Sequence, residues 1–246
     1  MKDKLQSLPV YGWLLTATPV CGLAAGTAAA FEGGERLYWP ISRVWGRGML
    51  KSAGVHHVRS RGLDKLEHAG ACLLMSNHES HLDPPLLIAE SSRTLSFLTK
   101  KELFHFPIFG WAMKRIGHIP IDRGQRESAQ ASIEAAAAMV REGRAVMVFP
   151  EGTRSRTDDL LPFKKGGFVL AIKSGAPIFP IGLAGTRQIL PPGFVIRKHG
   201  GPIAVVVGDP IDTRDYTLET KDALMALVRE RISALREEAR LLAAEP

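Results

Sequence analysis

The 246-residue chain is poor in cysteine, and Cys21 and Cys72 form no CxxC pair, which argues against both a disulfide framework and a thiolate metal site. A reducing compartment is expected. No G-x-S-x-G, Walker A or G-x-G-x-x-G sequence occurs, which removes the usual signals of a hydrolase elbow, a P-loop and a dinucleotide fold. His78-Glu79-Ser80-His81 spaces its histidines three apart, where a zinc-protease helix needs four. Internal repeats, low-complexity tracts and Ser/Gly linkers are missing too, so residues 51–246 read as one domain behind a distinct segment at 1–50.

Charge is missing altogether from Leu5 to Phe31, a run of 27 residues behind Lys2 and Lys4. As a helix it would measure roughly 40 Å, enough to span or deeply enter a bilayer. Pro9, Pro19 and several glycines weaken it as a spanning helix. Ala28-Ala29-Ala30 fits a signal-cleavage pattern, so a cleaved leader competes with a retained anchor and with a buried core helix. Acidic residues are then scarce. Between Gly33 and Gly62 stand Arg36, Arg43, Arg47, Lys51, Arg59 and Arg61 against Glu35 alone, with Tyr38, Trp39 and Trp45 among them. That mixture reads as an interfacial stretch on anionic lipid and places this flank on the cytoplasmic side. Over the whole chain, 32 Lys and Arg against 25 Asp and Glu give a net charge of +7 and a pI near 9.6. Expected partners are therefore anionic: phosphates, nucleic acid or anionic lipid.

Short apolar runs at Gly70 to Met75, Leu95 to Leu98, His118 to Ile121, Ala145 to Phe149, Ile178 to Leu183 and Ile203 to Val207 suit buried strands. Glu127 to Glu142, Phe168 to Ser174 and Leu218 to Ala243 suit helices. The consistent fold class is α/β, a central mostly parallel or mixed sheet flanked by helices.

Chemistry concentrates at Ser76-Asn77-His78-Glu79-Ser80-His81-Leu82-Asp83, directly after a strand-like run. On a regular helix, residues five apart lie about 140° apart, so His78 and Asp83 would not share a face. A turn at a helix entrance could fold the carboxylate back onto the imidazole. Asp83 would then fix the ring tautomer of a general base. Ser76 and Ser80 are conceivable nucleophiles, although Ser76 is equally a helix N-cap candidate.

Three further clusters fall where a strand gives way to a loop: Thr99-Lys100-Lys101-Glu102, Ile121-Asp122-Arg123-Gly124, and Phe149-Pro150-Glu151-Gly152-Thr153-Arg154-Ser155. A guanidinium fork binds phosphate oxygens by parallel charge-assisted hydrogen bonds, and Gly152 permits close backbone approach. Each cluster also has a plain reading. Asp122 and Arg123 could be a local pair, Lys100 and Lys101 solvated, and Glu151 and Arg154 a braced turn.

In its blocks Asn77–Asp83, Ile119–Arg123, Phe149–Ser155 and Ile178–Gly182 with Gly185, the chain resembles the glycerolipid acyltransferases, most closely the 1-acyl-sn-glycerol-3-phosphate acyltransferases. The resemblance runs from about Arg43 to about Val207. It implies acyl transfer from a coenzyme A or acyl-carrier-protein thioester to the sn-2 hydroxyl of a lysophospholipid, at a cell membrane with the catalytic domain facing the cytoplasm. No cofactor, metal or nucleic acid is implied. Carried over by position, His78 is the base and Asp83 its orienting partner. Arg154 is the first choice for the phosphate, then Arg123, with Lys100 assisting. Glu151 would orient a basic side chain or a glycerol hydroxyl, in a loop shaped by Gly152. Another lysolipid acceptor, such as a lyso-ornithine lipid, is an alternative. Outside the family, a metal-dependent phosphohydrolase using His78, His81 and Asp83, or a non-catalytic membrane-binding module, would use some of the same residues.

Overall fold

The computed structural model describes residues 5–122, 125–193 and 195–245. Among these, the apolar runs become strands β2 (Cys72–Ser76), β3 (Leu95–Lys100), β4 (Ile119–Ile121), β5 (Ala145–Val148), β6 (Ile178–Ala184) and β7 (Ile203–Val207), joined by the edge strand β1 (Val58–Arg61). The order is β1-β7-β6-β2-β5-β3-β4, with every neighbouring pair parallel except the antiparallel β6 and β7. The sheet is therefore mixed and mostly parallel. β1 has no counterpart in the apolar pattern, because Val58-Arg-Ser-Arg sits at a sheet edge, where one side stays wet and polar side chains are tolerated.

Helices α1 (Leu8–Ala28) and α2 (Glu35–Ser52) precede the sheet, α3 (Asp83–Glu90), α4 (Pro107–Arg115), α5 (Arg126–Arg141), α6 (Gly166–Ser174) and the single turn α7 (Thr186–Ile189) connect its strands, and α8 (Lys221–Ala244) follows the last. Helices α3 and α4 both carry proline in their first turn, Pro84 and Pro107, where its fixed φ suits the helix and its missing N–H costs nothing. The sequence reading gave neither helix a span.

Alternation along the strands sorts the core into two layers. Leu74, Ala145, Met147, Ile203 and Val205 face α2 and α3. Leu73, Met75, Val146 and Val148 face α5, α6 and α8. Each of the central strands β2, β5 and β6 is buried along its full length, as parallel strands covered on both faces must be.

Residues 5–50 belong to this packing. Val10, Ala25, Tyr38, Trp39, Met49 and Leu50 are buried in the same apolar cluster as Leu74 and Phe179. Glycine lets the helices approach closely. A Cβ at Gly48 would lie 1.9 Å from Trp13, and one at Gly26 would lie 2.3 Å from Trp111. Hydrogen bonds lock the same contact, from Trp13 Nε1 to the Trp45 carbonyl at 3.1 Å and from Trp45 Nε1 to Thr18 Oγ1 at 3.0 Å. Helix α1 is the one described helix long and apolar enough to cross a membrane, with a mean hydropathy of 1.3 and 11% of the window buried. Its outward residues Leu8, Leu15, Val20 and Leu23 are exposed, as are Leu37 and Val44 of α2 and Phe106 and Trp111 around α4.

Candidate active site

The carboxyl ends of β2, β5 and β6 are adjacent, and each delivers one wall of the site. β2 ends at Ser76, and the chain turns through residues 77–82 before α3 begins at Asp83. Ser76 therefore ends a strand rather than capping a helix; its hydroxyl donates to the Asn77 carbonyl at 3.0 Å. Asn77 prolongs the pairing with β6 through its side chain. Its amide donates to the Leu183 carbonyl at 3.0 Å and accepts the Leu183 N–H at 2.8 Å. The next residue, His78, is thereby launched from a fixed backbone position.

Because 77–82 is a turn, the five-residue spacing closes. His78 Nδ1 lies 2.7 Å from Asp83 Oδ2. That oxygen also accepts the N–H groups of Glu79 at 2.7 Å and Ser80 at 2.8 Å. Thr186 donates to Oδ1 at 2.6 Å. Asp83 has no solvent exposure, so four donors replace the water its charge would otherwise require. A carboxylate on Nδ1 makes that nitrogen the donor and leaves Nε2 with its lone pair. The His78 ring stacks on Phe149 at 4.0 Å with an interplanar angle of 18°, which sets its second rotational coordinate.

The β5 loop folds across this turn. Glu151 spends one carboxylate oxygen on the His78 N–H at 2.7 Å and the other on the Leu161 N–H at 2.8 Å, so its described contacts are to backbone. Burial raises its pKa, and those two N–H groups oppose the rise. The Ser155 N–H donates to the His78 carbonyl at 2.8 Å. Gly152 holds φ +72°, and a Cβ there would stand 3.2 Å from Lys164 Cγ. Arg154 is half-buried with its guanidinium against the His81 ring. Burial, reinforced by Arg154, pushes His81 down to about 3, so it is neutral at pH 7. Glu79 is buried, and burial with the Asp83 charge pushes it up to about 7, opposed by Arg236.

Of the residues the sequence singled out, His78, Asp83, Glu151, Gly152 and Arg154 form one constellation. Lys100 lies at the same carboxyl edge, two strands from β2, where its ammonium is 3.3 Å from Glu102. Among the described residues, no contact joins it to His78 or Arg154. Asp122 pairs with Lys101. Arg123 lies outside the described residues. The proposed ligand set of a phosphohydrolase does not assemble. His81 faces a guanidinium, and among the described residues no group of three or more His, Cys, Asp or Glu could hold a metal. Phe149 and Thr186 were not singled out for the site by sequence. Phe149 opens one quoted block without having been given a role and Thr186 follows Gly185, and only the strand order brings them to His78.

Comparison with known proteins bears on the family. The acyltransferase family profile matches residues 57–184. A chloroplastic 1-acyl-sn-glycerol-3-phosphate acyltransferase of Brassica napus is 37% identical over 152 residues, 61% of this chain and 44% of the relative. One of Chlamydomonas reinhardtii is 37% identical over 205 residues, 82% of this chain and 59% of the relative. The chain thus spans about half the length of these curated relatives. The crystal structure of the 1-acyl-sn-glycerophosphate acyltransferase of Thermotoga maritima superposes with a TM-score of 0.83 at 22% identity, covering 100% of this chain and 98% of that one, which shows a shared fold. With more than half of its length inside the family profile, the chain belongs to the acyltransferase family.

Proposed function

We propose that the chain transfers a fatty acyl group from a thioester, acyl-coenzyme A or acyl-carrier protein, to the sn-2 hydroxyl of 1-acyl-glycerol-3-phosphate. The observation that carries this reading is the His78–Asp83 contact at 2.7 Å beneath a loop bearing Arg154. His78 Nε2 takes the hydroxyl proton as the acceptor oxygen attacks the thioester carbonyl. The tetrahedral adduct then collapses, breaking the carbon–sulfur bond, and the departing thiolate recovers the proton from the imidazolium. A thioester is already activated, so a positioned base and two held substrates suffice without an acyl-enzyme. Arg154 binds the acceptor phosphate, with Arg123 and Lys100 assisting, and Glu151 and Gly152 keep its loop in shape. The exposed apolar ridges of α1 and α2 lie in the cytoplasmic face of an anionic cell membrane, which brings the lysolipid hydroxyl to His78.

The test is an assay of membranes containing the protein with a labelled acyl thioester and a panel of lysolipids, including lysophosphatidate and a lyso-ornithine lipid. Label is expected in phosphatidate, falling by about 10²- to 10⁴-fold in His78→Ala. Transfer to the ornithine lipid alone would reassign the acceptor, and undiminished transfer by His78→Ala would remove the base.

A further inference from the structure

Helix α8 carries an arginine on its apolar side. Ile232, Arg236 and Ala239 follow at helical spacing, and all three are buried. The position is forced by β6. A Cβ on Gly182 would lie 2.2 Å from the Leu235 carbonyl carbon and 2.3 Å from the Arg236 nitrogen, so only glycine there lets α8 descend onto the strand. Arg236 then reaches the edge of the site. Its guanidinium is 3.5 Å from Glu79 Oε2, both side chains being at least nine-tenths buried, and it also donates to the Asp158 carbonyl.

These contacts tie two separate pieces of the site together. Glu79 belongs to the His78–Asp83 turn; its N–H is on Asp83 Oδ2, and its other carboxylate oxygen receives Thr186 Oγ1 at 3.4 Å. Asp158 belongs to the loop that carries Arg154. Neighbouring arginines brace the same loop: Arg240 on Asp158 Oδ1 at 3.2 Å, Arg187 on the Asp158 carboxylate and the Arg156 carbonyl, and Arg229 on the Leu160 and Leu161 carbonyls at 2.7 and 2.6 Å. Glu151 anchors the loop at its start, and α8 anchors it beyond Arg154.

We propose that Arg236 is a positioning residue for the acceptor: it ties the Arg154 loop to the His78–Asp83 turn and so fixes the span between the phosphate ligand and the base. This rests on the function proposed above, in which Arg154 meets phosphate. Loosening the tie costs the acceptor, whose two ends engage both pieces, and spares the thioester.

The experiment compares wild type, Arg236→Gln, Arg236→Lys and Asp158→Ala in detergent, with KM measured separately for lysophosphatidate and for the thioester. Arg236→Gln is expected to raise the acceptor KM by about tenfold, the scale of a lost charge-assisted contact, with the thioester KM unchanged. Arg236→Lys, which retains the charge, recovers most of that loss. Asp158 is exposed, so Asp158→Ala leaves the core intact while releasing Arg187 and Arg240; a rise of about threefold in acceptor KM alone is expected. If Arg236→Gln does not fold, Glu79→Gln, which removes the charge that Arg236 meets while keeping the side-chain shape, decides. Equal effects on both KM values, or none, in folded variants of an active wild type overturn the positioning role alone. A wild type that transfers nothing to lysophosphatidate overturns the function it rests on as well.

Discussion

Thr186 and His78 hold opposite oxygens of one carboxylate. The Thr186 hydroxyl donates to Asp83 Oδ1 at 2.6 Å while the His78 ring sits 2.7 Å from Oδ2. Thr186 reaches that position because Gly185, at φ +92°, turns the chain sharply out of β6; a Cβ at Gly185 would lie 2.2 Å from the Pro202 carbonyl. Thr186→Val keeps the shape and removes the donor. A hydrogen bond to a buried charge contributes about 1.5–3 kcal/mol, so kcat should fall by about tenfold or more at nearly unchanged KM. A kcat within twofold of wild type would mean that Asp83 needs no second support.

The stack of His78 on Phe149 makes a separate prediction. Phe149→Leu retains apolar volume but loses the flat surface that opposes rotation of the imidazole. Aromatic pairs contribute about 0.5–1.5 kcal/mol beyond area burial, which limits the expected loss of kcat to about threefold to tenfold. Stability should barely change. A pre-steady-state comparison of the acyl-transfer step would show the slowing in chemistry rather than in product release.

These two residues mark where the sequence stopped being legible. His78 and Asp83 were readable because one tight turn joins them, and local turns obey local rules. The four strand-end clusters were readable for a similar reason, since each lies where an apolar run meets polar residues. Thr186 stands 103 residues beyond Asp83, and nothing short of the β6-β2-β5 order makes them neighbours. Arg236 left a fainter mark, an arginine inside the apolar stripe of α8, which amphipathic averaging hides. Helices α3 and α4 are short, eight and nine residues, and start at proline-bearing turns, so neither presents the long apolar periodicity by which α5 and α8 were readable.

Acid should weaken the fold through His118. Its Nδ1 accepts the Phe97 N–H at 3.1 Å, and its ring meets Phe97 edge-on at 5.4 Å, an arrangement available only to the neutral ring. Burial pushes its pKa down to about 4, below the ordinary value of 6.5. Between those values the unfolded chain binds the extra proton, so this residue's contribution is complete above pH 6.5 and is lost as pH falls toward 4. The full span corresponds to about 3 kcal/mol. Urea unfolding at pH 7 and pH 4.5 should show a steeper loss in wild type than in His118→Gln, and equal losses would exclude the assignment.

Docking of the N-terminal helix can be tested with two glycines of the same hairpin. Gly48 of α2 lies under the Trp13 indole, where a Cβ would be 1.9 Å from the ring; Gly12 of α1 has nothing within 4 Å. Intrinsic propensity favours alanine over glycine by about 1 kcal/mol at both positions. Gly12→Ala should therefore stabilise slightly and leave tryptophan emission unchanged. Gly48→Ala cannot be accommodated without lifting Trp13, which would break its bond to the Trp45 carbonyl and expose both indoles. Red-shifted emission in Gly48→Ala and none in Gly12→Ala is the expected pair of results. Because the paired surface also holds Thr18 against Trp45, a released α1 should become sensitive to protease at residues 29–34 while the sheet stays folded. Identical behaviour of the two variants would show that α1 is not held by this contact in solution.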